Sequence, residues 1–369
     1  MKVLFTTNLP SPYRIDFFNE LGKYCDLTVA FERKRASDRD SKWQGSEATN
    51  YKAVYLDLKP YKEDRAVGSA LKKFVKNCDF DIVVFSNYVS PATISAISYC
   101  RRHNKRYYIE YDGGFYKKDG FFKKILKKYL ICGAAGHFTT CEEHKKYLIS
   151  LGISTDKIMK YPFTSVTEAD IKEADKMLLQ GKANLRQKLS MHEEKIILTV
   201  GRFIHSKGFD VLLEAASGLD KSVGVYIVGG TPTDEYIDMK QRLALDNVHF
   251  IGFKTKSELK EYYAAADLFV MPTRSDVWGL VVNEAMSFSL PIISTDKCIA
   301  ALEMVKEGEG GYIVPVDNSE KMLEKIKVII SDDSLCNAFS QYNASVALDY
   351  TIEKMARRHM EILDRIFKG

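Results

Sequence analysis

Two short stretches carry residues whose types and spacing suit phosphate and sugar chemistry. In Gly201-Arg202-Phe203-Ile204-His205-Ser206-Lys207-Gly208 an arginine precedes a lysine by five positions. A guanidinium offers a forked set of donors and an ammonium a compact charge, a combination that fits a diphosphate. In Thr273-Arg274-Ser275-Asp276-Val277-Trp278-Gly279-Leu280-Val281-Val282-Asn283-Glu284-Ala285-Met286 two carboxylates stand eight residues apart, with a glycine between them. Carboxylates accept hydrogen bonds from hydroxyls. The amides of Leu280 and Val281, at the start of an apolar helix, offer free N–H groups and the positive end of the helix dipole. A phosphate site flanked by hydroxyl acceptors suits a nucleotide sugar. The plainer alternative is a pair of ordinary strand-to-helix crossovers with solvated charges.

Both stretches need strands that end where they begin. Ile196 to Val200 is a buried strand running into Gly201, followed by a helix from Phe209 to Ser217. Ala264 to Met271 is an all-apolar run stopped by Pro272, and Leu280 to Phe288 reads as the helix that follows. Further strands are expected at 225–228 and 248–251. The first half alternates in the same way, with strands at 1–7, 27–31, 53–58, 81–86, 106–110, 136–140 and 157–161 and helices at 15–21, 91–100 and 142–151. Such alternation argues two doubly wound parallel sheets, and no GxGxxG follows any strand. The domains expected are 1–165, a polar linker over 166–190, 191–348, and a terminal helix over 349–369 that could cross back to the first domain. Glu110-Tyr111-Asp112-Gly113-Gly114 places Asp112 at a strand's carboxyl end, where it is either a functional acid or a turn residue before glycine.

With 369 residues, 46% apolar and 28% charged, the chain is that of a globular protein of about two domains. The net charge of +5 divides unevenly. Residues 1–165 hold 29 Lys+Arg against 18 Asp+Glu, or +11, which leaves 25 against 31, or −6, for the remainder. A basic half points to an anionic surface. A helix from Phe121 would set Phe121, Phe122, Ile125, Leu126, Tyr129 and Leu130 in a stripe beside Lys123, Lys124, Lys127 and Lys128, with Lys117 and Lys118 just ahead. It could lie on an anionic membrane or bury the stripe in its own domain. Nucleic acid is not expected, since no recognition motif accompanies the charge. No run is long enough to span a bilayer, and Met1 to Phe5 enters a strand at once, so a cytoplasmic protein peripheral to the inner membrane face is expected. The seven cysteines are scattered and expected to be reduced. Neither Asp38-Arg39-Asp40 nor Asp79-Phe80-Asp81 is expected to hold a metal.

The residues above also resemble a family. Retaining glycosyltransferases of family 4, of the GT-B fold, carry Glu-x7-Glu in the setting Glu-x-Phe-Gly-Leu-x-x-x-Glu-Ala-Met, matched here by Trp278-Gly279-Leu280 and Glu284-Ala285-Met286, with Asp276 in place of the first Glu. Gly201-Arg202 and Lys207-Gly208 match the family's phosphate-binding segment. The resemblance is strong over about 195–316. It implies two Rossmann-like domains facing across a cleft. Gly201, Arg202, Lys207, Gly279, Leu280 and Val281 would be at the diphosphate, Glu284 at the ribose, and Asp276 at the donor sugar. Asp112 would stand where relatives often have a His, and Arg14 would be the counterpart of an acceptor-facing Arg. It also implies a metal-independent hexosyl transfer from a nucleotide sugar to a polysaccharide or lipid-linked oligosaccharide acceptor. Ser289 and Cys298 stand where relatives usually have Gly. The rival expectations are a sugar-nucleotide epimerase or phosphorylase, and a nucleotide-sugar-binding protein without catalysis.

Overall fold

A computed structural model of the protein describes residues 1–34, 47–61, 65–115 and 120–368, without the side chains of Phe121 and Lys123. The chain forms two compact units, Met1–Thr164 with Ile352–Gly369, and Ser165–Thr351. In the first unit the order is β1 (Lys2–Thr7), α1 (Pro12–Leu21), β2 (Asp26–Phe31), β3 (Lys52–Tyr55), β4 (Lys59–Tyr61), β5 (Arg65–Val67), α2 (Ala70–Asn77), β6 (Ile82–Phe85), α3 (Pro91–Arg102), β7 (Tyr108–Glu110), α4 (Phe121–Cys132), β8 (Gly136–Thr139), α5 (Glu142–Ser150) and β9 (Ile158–Lys160). Seven of these strands make a parallel sheet, β3-β2-β1-β6-β7-β8-β9, and β4 and β5 pair as a separate antiparallel hairpin. The sheet reads as continuous apolar runs because helices cover both faces: Val3 to Phe5 and Val84 to Phe85 are fully buried.

The second unit runs α6 (Glu168–Leu179), α7 (Lys182–Lys188), β10 (Lys195–Val200), α8 (Phe209–Ala216), β11 (Val223–Val228), α9 (Asp234–Arg242), β12 (Val248–Ile251), α10 (Lys256–Ala265), β13 (Leu268–Met271), α11 (Leu280–Ser287), β14 (Ile292–Thr295), α12 (Ile299–Met304), β15 (Gly311–Val314), α13 (Ser319–Ile330) and α14 (Asp333–Ala347). Its six-stranded parallel sheet is ordered β12-β11-β10-β13-β14-β15. The order reverses beside β10, so the loops after β10 and β13 flank the switch point where open α/β sheets bind ligands.

Residues 166–190 are not a free linker. The Thr167 and Asp170 side chains form a capping box that starts α6, and Lys256 and Lys260 pair with Asp170 at 2.8 and 2.7 Å. Lys182 and Arg186 of α7 pair with Asp267 at 2.8 and 2.6 Å. The mixed charge that reads as solvated linker is a set of pairing groups on two helices of the second unit.

The last helix, α15 (Ile352–Lys368), belongs to the first unit and packs on α1. Ile352, Met355, Ala356, His359, Ile362 and Leu363 recur at helical spacing and are its buried face. His359 lies among the rings of Phe5, Phe17, Phe138 and Tyr161.

Candidate functional site

The loop after β10 is shaped by one close approach. Gly208 has φ +66°, and a Cβ there would meet the Pro272 carbonyl oxygen at 2.1 Å, so only glycine lets this loop lie against the end of β13. One 3-10 turn, His205–Lys207, precedes it. Lys207 reaches across to the next loop, its Nζ 2.5 Å from Asp276 Oδ2. Both side chains are about one-fifth exposed, at 21% and 19%. Arg202 is exposed and makes no side-chain hydrogen bond or ion pair among the described residues. Among the described residues it is a cation without a protein partner, at the edge where Lys207 has one.

Gly279, φ +104°, is the residue before α11, and its missing Cβ leaves room for the Cys298 thiol, which would stand 2.6 Å from it. No side chain caps this helix. The amides of Leu280 and Val281 sit in its first turn, where no helical carbonyl lies four residues back. The Asp276 amide donates to the Lys297 carbonyl at 3.0 Å, and Asp276 bridges Cys298, so the loop after β14 fixes the acid's height. Ser289 has φ +59°, a left-handed conformation that accounts for glycine at this place in the resembling family.

Asp276 and Glu284 take different partners. Glu284 Oε1 accepts from Ser165 Oγ and Oε2 from Tyr263 Oη, each at 3.0 Å. Burial pushes the Glu284 carboxyl up, against the lowering effect of those two donors. Each oxygen keeps a second lone pair, so ligand hydroxyls can still donate to it. Ser165 and Tyr263 have no signature in the sequence, being a loop serine and one of many tyrosines.

In the first unit, Asp112 contacts Arg14 Nη2, and Arg14 Nη1 lies 2.9 Å from Glu110 Oε2. Ser86 donates to Glu110 Oε2 at 2.5 Å, and His359 Nε2 lies 3.0 Å from Oε1. His359 Nδ1 lies 2.8 Å from the Met355 carbonyl oxygen. Both ring nitrogens thus face oxygen acceptors. Arg14, expected to face an acceptor, is instead sealed at 2% exposure between two carboxylates. Burial favours the neutral form of Glu110, yet Arg14, then His359 and Ser86, hold it down at about 2. Asp112 is pushed up to about 6 by burial, opposed by Arg14 and helped by the like charge of Glu110. Sequence reasoning missed His359 because it occupies a core position of an amphipathic helix.

Of the described part of the α4 stripe, only Leu130 is buried in its own domain. Phe122 is 85% exposed, and Ile125, Leu126 and Tyr129 are also exposed, beside exposed Lys124 and Lys128; only Leu130 and Ile131 reach the core. Lys117 and Lys118, and likewise Asp38 and Asp40, lie outside the described residues, as does the Lys123 side chain. Asp81 accepts from the Lys2 amide at 2.7 Å, joining the starts of β1 and β6. Among the described residues no helix is long and apolar enough to cross a membrane, and no cluster of three or more His, Cys, Asp or Glu could hold a metal ion.

Two parallel α/β units of this order define the GT-B fold of glycosyltransferases. The solved structure of Anabaena HepE in complex with UDP superposes with a TM-score of 0.76 at 16% identity, covering 99% of this chain and all of that one. Residues 181–346 match the family model described as glycosyl transferases group 1. An uncharacterized glycosyltransferase of Haemophilus influenzae is 30% identical over 183 residues, 48% of this chain and 51% of that protein. The chain thus spans about half the length of that relative. The N,N'-diacetylbacillosaminyl-diphospho-undecaprenol alpha-1,3-N-acetylgalactosaminyltransferase of Campylobacter jejuni subsp. jejuni is 22% identical over 81% of both chains.

Proposed function

We propose that the protein is a retaining glycosyltransferase that moves a hexosyl group from a nucleoside diphosphate sugar to a saccharide acceptor, lipid-linked or polymeric, at an anionic membrane face. The observation that carries this reading is the meeting of exposed Arg202, Lys207 and the uncapped first turn of α11 at the switch point of the second sheet. Three sources of positive potential there stabilise a departing diphosphate without calling on a metal. Glu284 accepts from the ribose and Asp276 from the donor sugar, while Asp112 is the acceptor-side carboxylate. In the transfer, the bond from the anomeric carbon to the β-phosphate oxygen breaks and the acceptor oxygen bonds to that carbon on the same face. The acceptor's proton passes to the departing phosphate oxygen.

The names of the Campylobacter relative and of HepE in its UDP complex support a lipid-linked acceptor and a uridine donor as the first to be tried. The membrane part of the reading rests on α4, whose exposed Phe122, Ile125 and Leu126 stand beside lysines. Lys124, Lys127 and Lys128 near an anionic leaflet contribute about 1 kcal/mol each.

Incubation with UDP-, GDP- and dTDP-sugars and undecaprenyl-diphosphate-linked saccharides is expected to give an α-linked product from an α-linked donor. Lys207→Ala should abolish turnover and weaken donor binding. Turnover without an acceptor would instead identify an epimerase or phosphorylase, and binding without transfer an inactive binder. Flotation with vesicles containing phosphatidylglycerol should fall when Lys123, Lys124, Lys127 and Lys128 are changed to Ser; equal flotation removes the membrane role.

A further inference from the structure

Arg274 lies two residues before Asp276 and is drawn into more contacts than any phosphate-binding role would leave room for. Its Nη1 and Nη2 fork onto Asp210 Oδ1 and Oδ2 at 2.8 and 2.5 Å, its Nε donates to Asp317 Oδ1 at 2.6 Å, and Nη1 also donates to the His205 carbonyl at 2.9 Å. Four of the five guanidinium hydrogens are thereby used, and the side chain is only 17% exposed. Two carboxylates already neutralise it, whereas Arg202 is exposed and has no side-chain partner among the described residues. The two arginines of this edge therefore do different work.

The partners of Arg274 come from two other crossovers, so three are joined: His205 and Asp210 follow β10, Arg274 itself follows β13, and Asp317 follows β15. Two more bonds run alongside, from the Arg274 amide and the Thr273 hydroxyl to the Ser206 carbonyl, each at 2.8 Å. Ser206 is the residue before Lys207. What the guanidinium fixes is thus the distance between the turn that carries Lys207 and the loop that carries Asp276. The buried cluster of this unit anchors the β10 loop through Phe203 but includes none of His205, Ser206, Lys207, Arg274, Asp276 or Asp317, whose spacing is left to these bonds.

We propose that Arg274 is a positioning residue for donor binding, acting through Lys207: by tying the loops after β10, β13 and β15 together it holds the Lys207 ammonium where the diphosphate lands. The inference rests on the donor-site reading above. A single exposed ion pair would do little, but a forked, mostly covered arginine joining three loops pre-organises the site before the ligand arrives.

The test is calorimetric titration of the full chain with UDP, in the wild type, Arg274→Met, Arg274→Lys, Lys207→Ala and the double variant Arg274→Met/Lys207→Ala. Arg274→Met is expected to weaken UDP about tenfold, and Arg274→Lys to recover part of that, since an ammonium restores the charge without the fork. The two losses should not multiply: once Lys207 is gone, removing Arg274 should cost less than about threefold more, the mark of residues acting as a unit. Losses that multiply in full, or UDP binding by Arg274→Met at wild-type strength, overturn the proposal. If Arg274→Met does not fold, Asp317→Asn removes one arm alone and should give a smaller loss of the same kind; unchanged binding there overturns it too. A wild-type chain that binds none of UDP, GDP, dTDP or ADP takes the donor-site reading down together with the inference, which separates that failure from a fault in the role of Arg274.

Discussion

Both sheets end at their carboxyl edges in a cation paired with a carboxylate, and the two pairs differ in how far water reaches them. In the first unit Arg14 and Glu110 are 2% and 0% exposed, and His359 closes the other side of the carboxylate. In the second unit Lys207 and Asp276 keep about a fifth of their side chains open. A sealed pair has lost its water and must find every partner in the protein, which makes it a brace. A half-open pair can exchange one partner for a ligand's charge at little cost, which makes it a binding group. The same strand-loop-helix edge thus yields a strut in one unit and a candidate site in the other, and burial separates the two.

Removing one member of the sealed set is the harshest way to break this contrast. Arg14→Met strands Glu110 and Asp112 without their shared cation, and the expected loss of stability is about 3 to 5 kcal/mol. Urea denaturation followed by circular dichroism measures it. A loss below about 1 kcal/mol would mean that water enters the cluster and that the two edges are alike.

The matching change on the open side should move binding and leave stability almost alone. Lys207→Ala is expected to shift unfolding by no more than about 1 kcal/mol, as for other partly exposed ion pairs. UDP affinity should fall by roughly ten- to a hundredfold, the range for losing a charge-assisted contact with phosphate. The same denaturation curve and a UDP titration read both. A large stability loss with UDP binding intact would reverse the assignment of strut and site.

Much of the second edge was legible in the sequence because its chemistry is local. Gly201, Arg202, Lys207 and Gly208 fall within eight residues, and a turn that needs φ +66° announces itself as glycine. The strands were legible for a similar reason, since parallel strands covered on both faces read as short apolar runs. The first edge was not, because its parts lie far apart along the chain: Arg14 from α1, Glu110 and Asp112 from β7 and its end, and His359 from α15. Only Glu110 and Asp112 are close in sequence, and nothing in the spacing of Arg14 and His359 marks them as neighbours of that pair. Helices α6 and α7 were misread for the opposite reason, that charges on a helix pairing with its neighbours look in sequence like charges in solvent. The pairing of Asp276 with Lys207 escaped as well, since it joins two loops 69 residues apart.

Acid titration sharpens the contrast within the sealed cluster. Asp112, raised to about 6, binds its proton more tightly in the folded chain. Its contribution is complete below its unfolded value of about 3.9 and is lost as pH rises through about 6. Glu110, lowered to about 2, contributes above its unfolded value of about 4.3 and loses that contribution as pH falls through about 2. Between pH ~4.5 and ~6 only the Asp112 contribution is still changing. Stability measured against pH should therefore fall more steeply across that window in the wild type than in Asp112→Asn, by about 1 kcal/mol once the partial exposure of Asp112 is allowed for. Parallel curves would show that Asp112 is ionised throughout, as an open carboxylate is.

The smallest expected effect on folding comes from α4, which shows within one helix the division seen between the two edges. Its C-terminal end is fastened by buried Leu130 and Ile131 and by the Tyr107 hydroxyl on the Leu130 carbonyl at 2.6 Å, while Phe122 is mostly exposed and Ile125 about half exposed. Apolar groups left this exposed gain little from folding, so Phe122→Ser should change stability by no more than about 0.5 kcal/mol and half-covered Ile125→Ser by about 1 kcal/mol. A bilayer would bury them, so flotation with anionic vesicles should drop in the same variants, and more in the pair than in either alone. A pair that unfolds easily would show that these side chains pack inside the protein after all, and α4 would then be a brace like the cluster around Glu110.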